Sequence, residues 1–228
     1  MAHSLELRDY QRECLIKARH FARKGGKRGL IALPTGTGKT IIFAHFPKLF
    51  SPPIMVLAHR EELLDQSAQT IAVLNPELRI EVDQAERKAY RKADVVVASV
   101  QTLVSSARLT KWPTDYFRVI VIDEAHHSVA TSYLQILEHF RLVPPLSGLG
   151  DKEIEHRDNV RHRFEDFVPE QDAPLLYGFT ATTERTDKRG LEWIFDELVF
   201  SRTIRDMMEA KWLCEIRGAR ITTSSDIS

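Results

Sequence analysis

Apolar positions along the chain fall into two patterns that alternate. Near the start, Tyr10, Cys14, Ala18 and Phe21 recur at i, i+4, i+8 and i+11, with Arg and Lys between them. That is the stripe of a helix with one buried face. It predicts a helix over 9–23, capped by Asp9 and ended by Gly25 and Gly26. Short continuous apolar runs follow at 30–33, 54–58, 95–98, 119–122 and 175–179, each closing on a polar or glycine-rich turn. Helical periodicity returns at 61–74 and 132–140, and at 204–212 with Met207 and Met208 inward. Strands that are apolar throughout are buried on both faces. Their alternation with helices predicts an α/β fold with a parallel sheet and helices on both faces. In such sheets ligands sit beyond the carboxyl ends of the strands, where these turns lie.

Residues 142–173 break the rhythm. They open on Pro144-Pro145 and Gly148 and become densely charged, with a weak helical pattern of Ile154, Val160, Phe164 and Phe167. The stretch reads as a surface excursion, a charged insert without chemistry of its own. The 228 residues suffice for one large domain with a sizeable core, and 43% hydrophobic with 28% charged residues is ordinary globular composition. Lys+Arg and Asp+Glu are both 32. Zero net charge excludes nucleic-acid binding by bulk charge and leaves room for a local groove. Cys14 and Cys214 lie far apart with no framework spacing, which points to a reducing, intracellular compartment. The apolar runs are too short to span a bilayer, so no membrane is expected. Residues 1–10 carry no apolar leader core and no Arg/Ser-rich presequence, although a mitochondrial or nuclear setting stays open.

The chemistry concentrates at two strand ends. Pro34-Thr35-Gly36-Thr37-Gly38-Lys39-Thr40 follows a strand and opens a helix. Gly36 and Gly38 let the backbone curl so that N–H groups point at phosphate oxygens, and the helix N-terminus adds partial positive charge. Lys39 would meet the β- and γ-phosphates of ATP, and the Thr40 hydroxyl would ligand Mg²⁺. The full pattern wants glycine where Leu33 stands. Val119-Ile120-Val121-Ile122 then delivers Asp123 and Glu124 at a strand mouth. Asp123 is placed to hold Mg²⁺, and Glu124, one residue farther out, to orient and polarise the attacking water. Lys39, Asp123 and Glu124 are thus the catalytic candidates. A metal site built on His126-His127 lacks a third ligand at usable spacing.

Asp123-Glu124-Ala125-His126 is the DEAH signature. With the phosphate loop, it makes the chain resemble domain 1 of a superfamily 2 helicase, over nearly its whole length. The resemblance implies a RecA-like domain over 1–212 and the start of a linker to a second RecA-like domain over 213–228. Leu7-Arg8-Asp9-Tyr10-Gln11 is similar to the family's N-terminal motif, which implies that Gln11 reads the adenine edge. The stretches 57–63 and 97–103 resemble motifs Ia and Ib, which implies that Arg60, Gln101 and Thr102 touch a strand's phosphates. Gly178-Phe179-Thr180-Ala181-Thr182 resembles motif III, with Thr183 where the family usually has proline. Thr180, Thr182 and His126 would then couple the acids to nucleic acid. Leu-Arg-x-Tyr-Gln and Glu-Ala-His-His point to the branch of restriction-enzyme translocases, UvrB-like proteins and fungal mitochondrial DNA helicases, hence DNA over RNA.

The expected function is an ATP-dependent DNA helicase or translocase motor domain, slow alone because the family's arginine fingers sit on the second domain. Two other readings stand beside it. One is a P-loop ATPase that remodels nucleoprotein without unwinding, separable by strand-displacement assays. The other is a truncated, non-catalytic nucleic-acid or partner-binding protein, separable by the reading frame beyond Ser228.

Overall fold

The structure is a computed structural model that describes residues 6–58, 61–146, 163–164, 166–181 and 191–214. Among them seven strands form one sheet: β1 (Arg28–Ala32), β2 (Ile54–Ala58), β3 (Ile80–Asp83), β4 (Val95–Ser99), β5 (Val119–Asp123), β6 (Leu175–Thr180) and β7 (Glu197–Ser201). Their order is β3-β4-β2-β5-β6-β1-β7, and every pairing is parallel. The expected α/β sheet is therefore present, and all its carboxyl ends lie on one edge.

The strand residues alternate between two core layers, as a two-residue period requires. Val119 and Val121 pack with Phe43, Phe46, Tyr177 and Phe179 under α1 (Asp9–Arg23), α2 (Lys39–Ala44), α3 (Phe46–Phe50) and α4 (Glu61–Leu74). Ile120 and Ile122 pack on the other face with Trp112, Tyr133, Phe140 and Trp193. That face is covered by α5 (Val100–Leu103), α6 (Ser106–Leu109), α7 (Thr131–His139) and α8 (Leu191–Ile194). The last described helix, α9 (Ile204–Glu209), sends Met207 into the first layer.

Strands β1, β2, β4, β5 and β6 match the apolar runs. Strands β3 and β7 were not among them. They are the sheet's edges, and edge strands need no continuous apolar run. Ile80, Glu81 and Val82 are half-buried, while Glu197, Leu198 and Ser201 are exposed. The start of α1 also differs from expectation. Asp9 is its first helical residue, not its cap; Arg8 is the N-cap, and its N–H donates to Gln11 Oε1 at 3.0 Å. The other end follows the sequence. Gly25 takes φ +89°, and the Gly26 N–H closes on Phe21 O at 3.1 Å.

The segment expected as a surface excursion begins inside the core. Leu142, Val143 and Leu146 are buried in the second layer, together with Phe164. The apolar residues at the insert's start anchor it. Ile154 and Val160 of its weak helical pattern lie outside the described residues.

Candidate functional site

The loop after β1 holds its shape through its own hydrogen bonds. Leu33 N–H continues the sheet by donating to Thr180 O at 2.9 Å. The Thr37 hydroxyl donates to Pro34 O at 2.7 Å, so this fully buried side chain braces the loop. Gly36 and Gly38 stand at φ +82° and +77°, where a β-carbon is strained. At Gly38 it would also lie 2.8 Å from Gln11 Nε2. Gly38 caps α2, whose first residues are Lys39 and Thr40, and Thr35 sits in the turn before them.

Two residues of α1 grip the loop from outside. Tyr10 OH and Gln11 Nε2 both donate to Thr37 O, at 2.5 and 3.1 Å. Gln11 also accepts from Arg8 N–H, which leaves its amide one N–H and one lone pair. That remainder is enough for the paired donor and acceptor contact that an adenine edge needs.

Lys39 is buried, and its ammonium has no hydrogen-bond partner among the described residues. Its nearest recorded anion is Glu124 Oε1 at 3.6 Å, an ion pair too long for a hydrogen bond. A buried, unsatisfied ammonium beside a loop of strained glycines fits an anionic group of the phosphate kind.

The two acids sit where β5 ends. Asp123 is buried, and burial pushes its carboxyl up from the usual carboxylate range. The charge of Glu124 adds to this, while Lys39 and the Glu124 N–H, which donates to Asp123 Oδ1 at 3.1 Å, pull the other way. Glu124 occupies the left-handed region at φ +56° without being glycine, a strain of about 1–2 kcal/mol. From there its carboxylate reaches between Lys39 and His126, whose Nδ1 lies 3.3 Å from Glu124 Oε2. The residues 125–127 form a 3₁₀ turn. This turn rests directly on β6: a β-carbon at Gly178 would come 2.7 Å from Ala125 Cβ. Thr180, two residues on, is fully buried, and its hydroxyl has no hydrogen-bond partner among the described residues, as is the case for Ser128 and Tyr133. The Tyr133 hydroxyl is pushed up by burial first and then by the charges of Asp123 and Glu124.

Among the described residues no group of three or more His, Cys, Asp or Glu side chains could hold a metal alone, His126 and His127 included. Mg²⁺ bound mainly through phosphates and water needs only one or two protein ligands, which Asp123 and Thr40 can supply. Gln101 and Thr102 lie on α5, beyond the carboxyl end of β4 and so on the same sheet edge. Gln101 Oε1 accepts from Ser99 Oγ at 3.0 Å, and Thr102 Oγ1 accepts from Ala85 N–H at 3.1 Å. Arg60 and Thr182 lie outside the described residues.

Sequence reasoning missed three features of this site: the Tyr10 hydroxyl, read as part of an apolar stripe; the backbone of Glu124; and Trp212, whose ring stands against Tyr10 at 5.8 Å. Tyr10 carried a signal, because a buried tyrosine usually finds a partner for its hydroxyl. The other two carried none.

Residues 4–146 match the family described as Type III restriction enzyme, res subunit. The chain is 34% identical over 233 residues to a Saccharomyces cerevisiae protein named as an ATP-dependent helicase, IRC3, covering 97% of this chain and 30% of that one. It is 34% identical over 231 residues to a Schizosaccharomyces pombe protein named as a mitochondrial ATP-dependent helicase, irc3, covering 98% of this chain and 34% of that one. The chain therefore spans about a third of the length of these relatives. Among solved structures, the Pyrococcus furiosus Hef helicase domain aligns over 94% of this chain and 41% of its own, at TM-score 0.60 and 21% identity. The UvsW helicase of bacteriophage T4 aligns over 87% and 61%, at TM-score 0.55 and 17% identity. Both likenesses are of fold, the RecA-like sheet of superfamily 2 helicases.

Proposed function

Since the chain belongs to the type III restriction enzyme res-subunit family of helicase domains, we propose that it is the Mg-ATP-binding motor domain of a DNA helicase or translocase. The observation that carries this reading is the buried Lys39 ammonium, without a hydrogen-bond partner among the described residues, beside a glycine loop and 3.6 Å from Glu124. Mg-ATP, when bound, supplies the electrophilic γ-phosphorus. The residues then divide the work. Backbone N–H groups of the loop and Lys39 hold the phosphates. Thr40 and Asp123 would hold the metal. Glu124 orients the attacking water and takes its proton. Gln11 spends its remaining donor and acceptor on adenine. Thr180 and His126 link the acids to β6 and to the strand-binding edge, with Thr182 beyond.

The nucleic-acid surface of this reading is the turns after β2 and β4, where Arg60, Gln101 and Thr102 meet backbone phosphates. DNA is favoured because Leu7-Arg8-Asp9-Tyr10-Gln11 and Glu124-Ala125-His126-His127 resemble the branch of DNA translocases. The name of the Schizosaccharomyces pombe relative supports a mitochondrial setting. No helix among the described residues is long and apolar enough to cross a membrane. Residues 1–212 make one RecA-like unit, and the partner that closes over its nucleotide lies outside it.

Calorimetry with MgADP on the chain and on Lys39→Ala tests the site. Binding that weakens at least tenfold in the variant is expected; equal affinity removes the assignment.

A further inference from the structure

Trp212 stands 202 positions from Tyr10 in sequence yet beside it in space, and the way it gets there is specific. Helix α9 ends in a Schellman turn. Lys211 takes the left-handed backbone at φ +59°, its N–H bonds Met208 O at 2.9 Å, and Trp212 N–H bonds Met207 O at 2.8 Å. Lysine is a costly residue for that position, where glycine is usual. The turn reverses the chain and throws Trp212 back over the start of α1. There the indole meets the edge of the Tyr10 ring at 5.8 Å, and the Arg8 guanidinium lies over it at 5.0 Å. The next residue, Leu213, reaches the phosphate loop, since a β-carbon at Gly36 would lie 3.9 Å from Leu213 Cδ2.

Arg8 is thereby held from three directions. Its guanidinium carbon lies over the Trp212 ring, its Nη1 donates to Tyr10 OH at 3.3 Å, and its backbone N–H donates to Gln11 Oε1 at 3.0 Å. Tyr10 and Gln11 both end on Thr37 O in the phosphate loop. Arg8 remains exposed. A planar cation seated on an indole and exposed to solvent can offer a stacking surface to an aromatic ring. It adjoins the amide that has one donor and one acceptor left.

Building on the nucleotide reading of the loop, we infer that Trp212 is a positioning residue of the base subsite, seating the Arg8 guanidinium as the platform on which a purine ring stacks. The end of the domain's last described helix thus contributes to selection of the base, while the loop itself selects phosphate. A cation–π contact of this kind is worth about 3- to 10-fold in affinity at a partly exposed site.

The test compares two ligands on the intact chain, MgADP and Mg-tripolyphosphate, by calorimetry. Trp212→Ala should weaken MgADP about 3- to 10-fold and leave tripolyphosphate unchanged, and Trp212→Phe should restore most of the loss. Emission offers a second reading. Trp112 and Trp193 are buried in the opposite core layer, so a fluorescence change on adding ADP should vanish in Trp212→Phe. Equal weakening for both ligands would mean that Trp212 only supports the loop, and no weakening for MgADP would mean that it only packs; either overturns the inference. Lys39→Ala separates the two levels, since it should weaken both ligands. If it weakens neither, the nucleotide reading fails and the platform fails with it.

Discussion

Glu124 is held in a backbone conformation that favours glycine, and the strain places its carboxylate between Lys39 and His126. Such strain persists where the surroundings over-determine it, which suits the water-orienting role proposed for Glu124. Glu124→Gln should keep MgADP affinity and lower turnover about 10² to 10⁴-fold in a protein that carries both motor domains. Single-turnover phosphate release measures this, and unchanged turnover would move the water-positioning role elsewhere. Asp123 gives a prediction in stability. Burial and then Glu124 raise its carboxyl above the ordinary range, so the folded chain holds that proton more tightly than the unfolded chain. As pH rises from the ordinary carboxylate range through the raised value, the folded state gives up the proton against burial, and stability falls. Without nucleotide, Asp123→Asn should melt above the parent at neutral pH, with the gap closing as pH drops to the ordinary carboxylate range. A variant that melts lower at neutral pH would show that Lys39 outweighs burial. The loop and the acids were legible in the sequence because glycine spacing and paired acids at a strand mouth are local patterns. Trp212 was not, because nothing within a few residues of it says that a turn will carry it back to Tyr10.

The elements differ in legibility for a reason of the same kind. The central strands bury both faces and write themselves as unbroken runs: Ile54–Ala58, Val95–Ser99 and Val119–Asp123 are buried at every position. The edge strands bury part of one face, so Glu81 and Glu197 sit in β3 and β7 at no cost and hide them. Helix α9 was expected to run to Trp212 but stops at Glu209, where the Schellman turn takes over. Its start is fixed by a reciprocal cap. The Thr203 hydroxyl accepts Asp206 N–H at 3.1 Å, and Asp206 Oδ2 accepts Thr203 N–H at 2.7 Å. These bonds hold the Asp206 carboxyl below its ordinary range. Thr203→Ala should cost α9 about 1 kcal/mol. Hydrogen exchange of the amides at 207–213 should report it as faster opening of this segment, ahead of any change in the β-sheet. Equal acceleration across sheet and helix would mean that α9 is not an independent unit.

At the scale of the molecule, one sheet edge carries the phosphate loop, the acids and the helix that bears Gln101 and Thr102. Neutral net charge leaves any strand held by a few local contacts, so binding of a single-stranded oligonucleotide should be weak, salt-sensitive and nearly independent of sequence. Anisotropy at two salt concentrations checks it, and Arg60→Ala with Gln101→Ala should reduce it. Among the described residues the charges that bear on Asp123 are those of Glu124 and Lys39. Phosphoryl transfer in related sites gains about 10³ to 10⁵ in rate from an arginine that meets the developing charge. The proposed motor reading assigns that arginine to a second RecA-like unit that closes on the nucleotide, and the relatives are about three times as long as this chain. Steady-state phosphate release by residues 1–228 alone should be slow and independent of protein concentration, and extending the chain through the second unit should raise it by about the same 10³ to 10⁵. A rate that climbs with concentration would instead mean that a second copy supplies the cation. Brisk DNA-stimulated turnover by a monomer of these residues would mean that the charge is met from within the domain, and the second unit would then be needed for movement along the strand but not for chemistry.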